Sequence, residues 1–292
     1  MSKQKIGIVG IGLMGHGIAR NIAKHGYPLA VLEHAGNQPL DELKAAGATT
    51  RSSAAQLAVE SDVVIVCVTG SPQVEAVVLG PGGLLEGMKP GMIVIDCSTA
   101  IPSSTQKVAA AVERAGGRFL DAPMTRTPKE AAQGRLNLLV GGDAALFAEC
   151  EPLLACFAEN ITHTGAVGAG HGMKLLHNYV SLGCVGLIAE AAACAQRSGV
   201  APEVFVEVLA KGGGGGVALE RLRPYLIAKD PSALRFAMAN AKKDLGYYTE
   251  MAHDIGAVQQ IADAVLQTFD QATAEGGAEA LVPELVSLLA VR

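Results

Sequence analysis

Lys174, His177, Asn178 and Ser181 recur at intervals of three and four within KLLHNYVS, the spacing that puts side chains on one face of a helix. Their neighbours Leu175, Leu176, Val180 and Leu182 are apolar, so the stripe points to a polar cleft where two domains meet rather than to a solvated charged face. An ammonium in such a cleft can protonate the alkoxide left when hydride reaches a carbonyl, and can stabilise the charge developing there. Lys174 is thus the candidate general acid/base. Asn178, one turn on, can donate to the same oxygen or orient the lysine, while Ser181 suits a substrate's polar end. His177 reads either as a second acid or as a lining residue.

A second cluster, Asp121-Ala122-Pro123-Met124-Thr125-Arg126-Thr127-Pro128, leaves a β-rich run. Arg126 offers a planar fork of donors suited to a carboxylate, sulfonate or phosphate, against the plainer reading of a solvated loop arginine. Thr125, Thr127 and Ser98 join it as candidate substrate contacts. Lys242, Lys243 and Asp244 lie within a helical stretch, where one lysine is expected in solvent and one can turn toward the chemistry. No metal is expected.

Gly10-Ile11-Gly12-Leu13-Met14-Gly15 follows the apolar run Ile6–Val9 and opens a helical stretch that ends at Gly26. In that context the glycines permit a tight turn, a close approach of backbone to a pyrophosphate, and close packing of helix on strand. The helix start then presents unpaired N–H groups and a positive dipole end to the phosphates. Glu33, ending the second apolar run, can accept bonds from the adenosine ribose and repels a 2′-phosphate, unless it is only a surface glutamate. No arginine stands beside it, which favours NAD; His34 keeps NADP as an alternative. Val68-Thr69 and Ser98-Thr99 end later strands and are expected to meet the same cofactor, with helix capping before Pro102 the competing role for Thr99.

These groups need a scaffold. β-rich runs at Ile6–Val9, Leu29–Glu33, Val63–Val68, Ile93–Cys97, Arg118–Asp121 and Leu136–Val140 alternate with helical patterns, which predicts βαβ units around a mostly parallel sheet covered on both faces. After Gly165 the strand signals stop. A helical pattern runs from near Gly170 to Ser198, followed by helical stretches at Pro202–Lys211, Val217–Ala228, Pro231–Ala252, Ala257–Ala274 and Ala278–Leu289. The expectation is an α/β chain: a Rossmann-like dinucleotide-binding domain over residues 1–165 and an all-α domain over 166–292, joined through a long interdomain helix. The run Gly212–Gly216 reads as a flexible loop or as one passing close to a ligand.

Composition narrows the partners. A formal charge of −5 and the absence of Lys/Arg runs argue against nucleic acid, and 4% aromatic with 50% apolar residues suits helices packed closely on a sheet. Six cysteines without a CxxC pair suggest small buried thiols in a reducing compartment. The N-terminus passes straight into a strand with no export signal, and Val180–Ala195, interrupted by Glu190, falls short of the roughly 20 residues needed to span a bilayer. No membrane partner and a cytoplasmic setting follow as expectations.

GIVGIGLMGHGIARNIAKHG, DCSTAIPSST, DAPMTRTPKEAAQGRLNLLVGG, GAGHGMKLLHN and KKDLG, in that order along nearly the whole chain, resemble the β-hydroxyacid dehydrogenase family. The resemblance implies NAD(H)-dependent interconversion of a small anionic hydroxy acid and its semialdehyde, with Lys174 as the catalytic lysine and Asn178 supporting it. It implies that Lys243 approaches the nicotinamide and that Leu13, Met14, Glu33, Val68 and Thr99 contact the cofactor, in a homodimer or homotetramer. Two departures stand on the substrate side. Met124-Thr125-Arg126-Thr127 replaces the family's usual serine and two glycines, which looks more like the sulfolactaldehyde reductase branch, and His177 interrupts the usual Lys-x-x-Asn-Asn. An imine reductase on the same scaffold, or a non-catalytic nucleotide-binding module, are the alternatives, and retention of Lys174 speaks against both.

Overall fold

A computed structural model describes residues 3–291. The first part alternates β1 (Ile6–Val9), α1 (Leu13–Lys24), β2 (Leu29–Leu32), α2 (Asp41–Ala45), β3 (Thr49–Arg51), α3 (Ala54–Glu60), β4 (Val63–Val66), α4 (Ser71–Leu79), β5 (Ile93–Asp96), α5 (Pro102–Arg114) and β6 (Arg118–Asp121). It continues through β7 (Met124–Thr125), α6 (Pro128–Gln133), β8 (Leu136–Gly141), α7 (Ala144–Leu154), β9 (Ala158–Gly165) and the long α8 (Ala169–Arg197). The remainder is helical: α9 (Pro202–Lys211), α10 (Val217–Ala228), α11 (Met238–Asp254), α12 (Gln260–Gly276) and α13 (Leu285–Ala290). Two compact units divide at Lys174 and Leu175, inside α8.

The strands form one sheet in the order β3-β2-β1-β4-β5-β6-β8-β7, with β9 beside β8. β1 to β6 pair in parallel, whereas β8 runs antiparallel to β6 and β7. The order reverses between β1 and β4, the kind of switch point outside which open α/β sheets take their ligands. Strand residues alternate between two cores. Ile6, Ile8, Ile65 and Ile95 pack on one face with Ile18 and Ile22 of α1. Val9, Val64, Val66 and Val94 pack on the other with Leu57, Val74 and Val108 of α3, α4 and α5. A strand buried on both faces loses the polar/apolar alternation of a half-exposed one, which is why the sequence showed unbroken apolar runs there.

The second unit gathers Leu182, Val185 and Ala189 of α8, Leu222 and Tyr225 of α10, Leu245 of α11, Phe269 of α12 and Val286 of α13 into its own core. Several expected boundaries move. β2, β4 and β5 end one or two residues early, and β3, β7 and β9 stand where no strand was expected. The stretch 231–252 becomes a short 3-10 turn and a helix starting at Met238, because Ala237 bridges to Leu281 and the Met238 N–H donates to the Ala280 carbonyl at 2.7 Å. The helix expected over 278–289 begins only at Leu285: residues 278–281 form a turn and a bridge, and Val282–Glu284, with Pro283, a 3-10 turn. Gly212–Gly216 forms a turn closed by Gly212 N–H to Leu209 O and Gly215 N–H to Gly212 O. α8, taken whole, is long and apolar enough to cross a bilayer by length and composition, which the shorter stretch 180–195 was not. In the structure 44% of its most apolar window is buried within the protein.

Candidate active site

The glycine turn sits at the carboxyl end of β1. Gly10 has φ of 92°, and a Cβ there would lie 2.1 Å from the Cys67 carbonyl oxygen; one on Gly15 would lie 1.9 Å from Gly10 O. Both positions are closed to any side chain. Gly12 is the opposite case, since a Cβ would meet nothing within 4 Å. Gly12 caps α1 with no side-chain hydrogen bond and no acidic residue follows in the first turn, so the leading N–H groups face open space with a positive dipole behind them. That cradle fits a pyrophosphate. Leu13 is 65% exposed beside it, a large apolar side chain presented where a cofactor would cover it, and Met14 is half-buried.

At the end of β2, Glu33, His34, Ala35, Asn37, Gln38 and Leu40 line a cleft of about 450 Å³. Its place beside the glycine turn suits an adenosine, with the Glu33 carboxylate available to the ribose. No cation neighbours Glu33 along the chain, yet the fold brings one: Lys44 Nζ of α2 lies 3.5 Å from Glu33 Oε1. Only the packing of α2 against the end of β2 discloses this neighbour. Further along the edge the Val68 N–H donates to Ser98 Oγ at 3.0 Å, Thr69 is exposed and Thr99 half-buried. Ser98 is 3% exposed, so its hydroxyl braces two strand ends.

The edge also holds the start of α8. Asp121, fully buried at the end of β6, accepts the Gly168 N–H on Oδ1 and the His171 N–H on Oδ2, each at 2.8 Å, and so caps the helix with a negative charge at its N-terminus. Gly170 lets the helix approach, since a Cβ would lie 2.3 Å from Leu139 O. Lys174 stands one turn further on, half-buried. His171 is fully buried, with Nδ1 2.8 Å from Thr105 Oγ1 and Nε2 3.2 Å from Ser98 O. The sequence assigns no role to Asp96 or His171, and Asp121 there only heads the cluster that leaves the β-rich run. A charged residue ending an apolar strand, followed at a distance by His in GAGHGMK, was the signal that carried them.

The loop after β6 takes a different form from the one expected. Arg126 has φ of 80°, a left-handed conformation that costs a side-chain-bearing residue roughly 1–2 kcal/mol. Its Nη1 donates to Glu159 of β9 and to the Arg135 carbonyl, and Arg126 holds the Glu159 carboxyl below its ordinary range. Thr127 caps α6 in a capping box with Glu130, so its hydroxyl serves the helix start. Thr125 is buried and accepts from Asn137 Nδ2 at 3.1 Å. The loop is fastened to the nucleotide helix: Asn21 of α1 donates to the carbonyls of Gly17 and Ala131 at 2.8 and 2.9 Å.

In the second unit Asn178, 8% exposed, donates to Asp244 Oδ2 at 2.6 Å and faces His177 Nδ1 through Oδ1 at 3.0 Å. Lys243 Nζ lies 2.8 Å from Asp244 Oδ1. The structure therefore joins Asn178 and Lys243 through Asp244, a residue expected only as part of a helical charge group, and sets His177 on the far side of the Asn178 amide. Ser181 is half-buried on α8.

Residues 5–165 match the family described as the NAD binding domain of 6-phosphogluconate dehydrogenase. Residues 168–289 match the one described as NAD-binding of NADP-dependent 3-hydroxyisobutyrate dehydrogenase. The NAD-dependent L-serine dehydrogenase of Pseudomonas aeruginosa is 35% identical over 262 residues, 89% of this chain and 86% of that protein. The mitochondrial 3-hydroxyisobutyrate dehydrogenase of Mus musculus is 33% identical over 263 residues, 89% and 76% of the two chains. A solved structure of Mycobacterium tuberculosis 3-hydroxyisobutyrate dehydrogenase with L-serine superposes with a TM-score of 0.88 at 26% identity, covering 98% of this chain and 99% of that one. Together with the glycine turn, these likenesses define an NAD-dependent dehydrogenase acting on hydroxy acids. The chain belongs to the β-hydroxyacid dehydrogenase family.

Proposed function

We propose that this enzyme interconverts a short 3-hydroxy acid, or a similar anionic alcohol, with its semialdehyde, and that Lys174 moves the proton at the reacting oxygen. NAD supplies the chemistry of accepting or returning a hydride. In oxidation the Lys174 amine takes the hydroxyl proton as the carbon gives up its hydride; in reduction the ammonium returns it. The observation that carries this reading is the shared sheet edge: the glycine turn at the end of β1 and the Asp121-capped start of α8 at the end of β6 lie at the carboxyl ends of strands that run parallel from β1 through β4 and β5 to β6. A lysine one turn into that helix belongs to the edge where the dinucleotide is held.

Asn178 supports Lys174 from the next turn, His177 and Ser181 line the substrate side, and Lys243 serves the nicotinamide end. NAD is the preferred cofactor, with the Glu33 carboxylate on its ribose. Named relatives act on L-serine and 3-hydroxyisobutyrate, both of which carry a carboxylate and a hydroxyl on the third carbon. Arg126 commits Nη1 to Glu159 and Arg135, and its remaining N–H edge is what an anionic substrate would meet. Thr125 stands beside it. The family resemblance adds a homodimer or homotetramer, and the absence of Lys/Arg runs speaks against nucleic acid.

Lys174→Ala is expected to lower kcat by several orders of magnitude while NADH binding, followed by fluorescence, stays close to wild type; full turnover without the lysine would end the proposal. The anion role is checked separately, by comparing kcat/KM on anionic and neutral aldehydes of equal length. A preference for the anion that disappears in Arg126→Met is the expected result, and equal values in the wild type would remove the assignment.

A further inference from the structure

The buried cluster beneath the first turn of α8 goes beyond this mechanism. His171 touches three other elements: Thr105 of α5, the Ser98 carbonyl after β5, and Asp121 at the end of β6. The Ser98 carbonyl can only accept, so Nε2 donates to it. The Thr105 hydroxyl lies within reach of both His171 Nδ1, at 2.8 Å, and the Ile101 carbonyl, at 3.0 Å, and that carbonyl already accepts the Thr105 N–H. The hydroxyl proton is therefore available to Nδ1, and the ring is held at both nitrogens.

Two carboxylates face the ring. Asp96 Oδ2 lies 3.9 Å from Nε2 and Asp121 Oδ2 lies 3.8 Å from Nδ1, with all three side chains fully buried. Asp96 Oδ2 has no hydrogen-bond partner, and the His171 ring is the polar group beside it. Burial pushes the Asp96 carboxyl up while His171 pulls it down. The other groups near Asp96 are the thiols of Cys67 and Cys97, whose own ionisation burial pushes up, so neither competes as an anion.

We propose that His171 is a positioning residue for the reaction, a buried imidazole whose two ring hydrogen bonds lock the first turn of α8 to the sheet edge and so fix the backbone from which Lys174 projects. This rests on the reading of Lys174 as the proton-transfer group. The two differ in their tests, because Lys174→Ala examines the chemistry and the variants below examine the lock.

Two measurements decide it. In protein labelled with ¹⁵N-histidine, the ring signals that vanish in His171→Gln are expected to show a proton on Nε2, the nitrogen that faces the Ser98 carbonyl; a bare Nε2 overturns the lock. In steady-state kinetics His171→Gln is expected to lower kcat on the order of 10²-fold, as small misplacements of a reacting group do, with the NAD dissociation constant unchanged. Thr105→Val keeps the volume, removes one ring partner and is expected to lower kcat in the same selective way, so it serves if His171→Gln does not fold. Wild-type kcat in folded variants, or a parallel loss of NAD affinity, overturns the proposal. An inactive Lys174→Ala beside a fully active His171→Gln would remove the lock and leave the proposed chemistry standing.

Discussion

Glu33 ends its strand beside a cation, Lys44, that no neighbour along the chain discloses. Its position after β2 was legible because a carboxylate there has a known use against a ribose. The salt bridge to Lys44 was not, because that lysine arrives from another helix and the pair exists only after folding. The consequence is a switch of cofactor preference: Glu33→Ser removes the charge that repels a 2′-phosphate and leaves Lys44 to meet it. Such a variant is expected to gain roughly tenfold in kcat/KM with NADP relative to NAD, about 1.4 kcal/mol of discrimination. An unaltered ratio would show that the pair does not face the ribose. Cys67 illustrates the reverse limit, since its thiol, pushed up to about 12 mainly by burial, looks from sequence like any other cysteine.

Elements were legible where burial wrote a pattern and obscure where the backbone alone sustained them. β1, β4 and β5 are short apolar runs bounded by turns, and the sequence announced them. β9 reads AENITHTG and exposes much of its length, yet it pairs in parallel with β8 through main-chain bonds that no side-chain period records. The start of α11 was likewise set from afar, by the bridge of Ala237 to Leu281. α8 was the best read of all, and its anchoring was the least. Gly170 carries that anchoring at the level of the element: Gly170→Ala pushes a methyl into the Leu139 carbonyl and is expected to cost about 1–3 kcal/mol in urea unfolding, with a fall in kcat as the first turn shifts. A variant as stable and as active as its parent would mean that the helix start can move without consequence.

Over the whole molecule, the alternation of strands and helices followed by helices alone gave the architecture, and the charge balance gave the expected partners. The mass-action consequence of dinucleotide binding is simple. NAD present at about 100 times its dissociation constant stabilises the folded state by roughly 2.7 kcal/mol. The melting temperature should rise by roughly 5–10 °C, and by the same amount in Lys174→Ala, in a thermal shift series with and without NAD. No rise in either protein would disconnect the glycine turn from its cofactor. The division at Lys174 and Leu175 carries its own lesson for anyone wishing to dissect the enzyme. The seam runs through hydrogen-bonded helix rather than through a linker, so a protease finds no exposed tether to cut and a gene truncated there yields two fragments, each ending in a severed coil. Swapping one half with that of a relative would need its splice upstream of Gly168, where the chain is still a loop and Asp121 has yet to cap the helix.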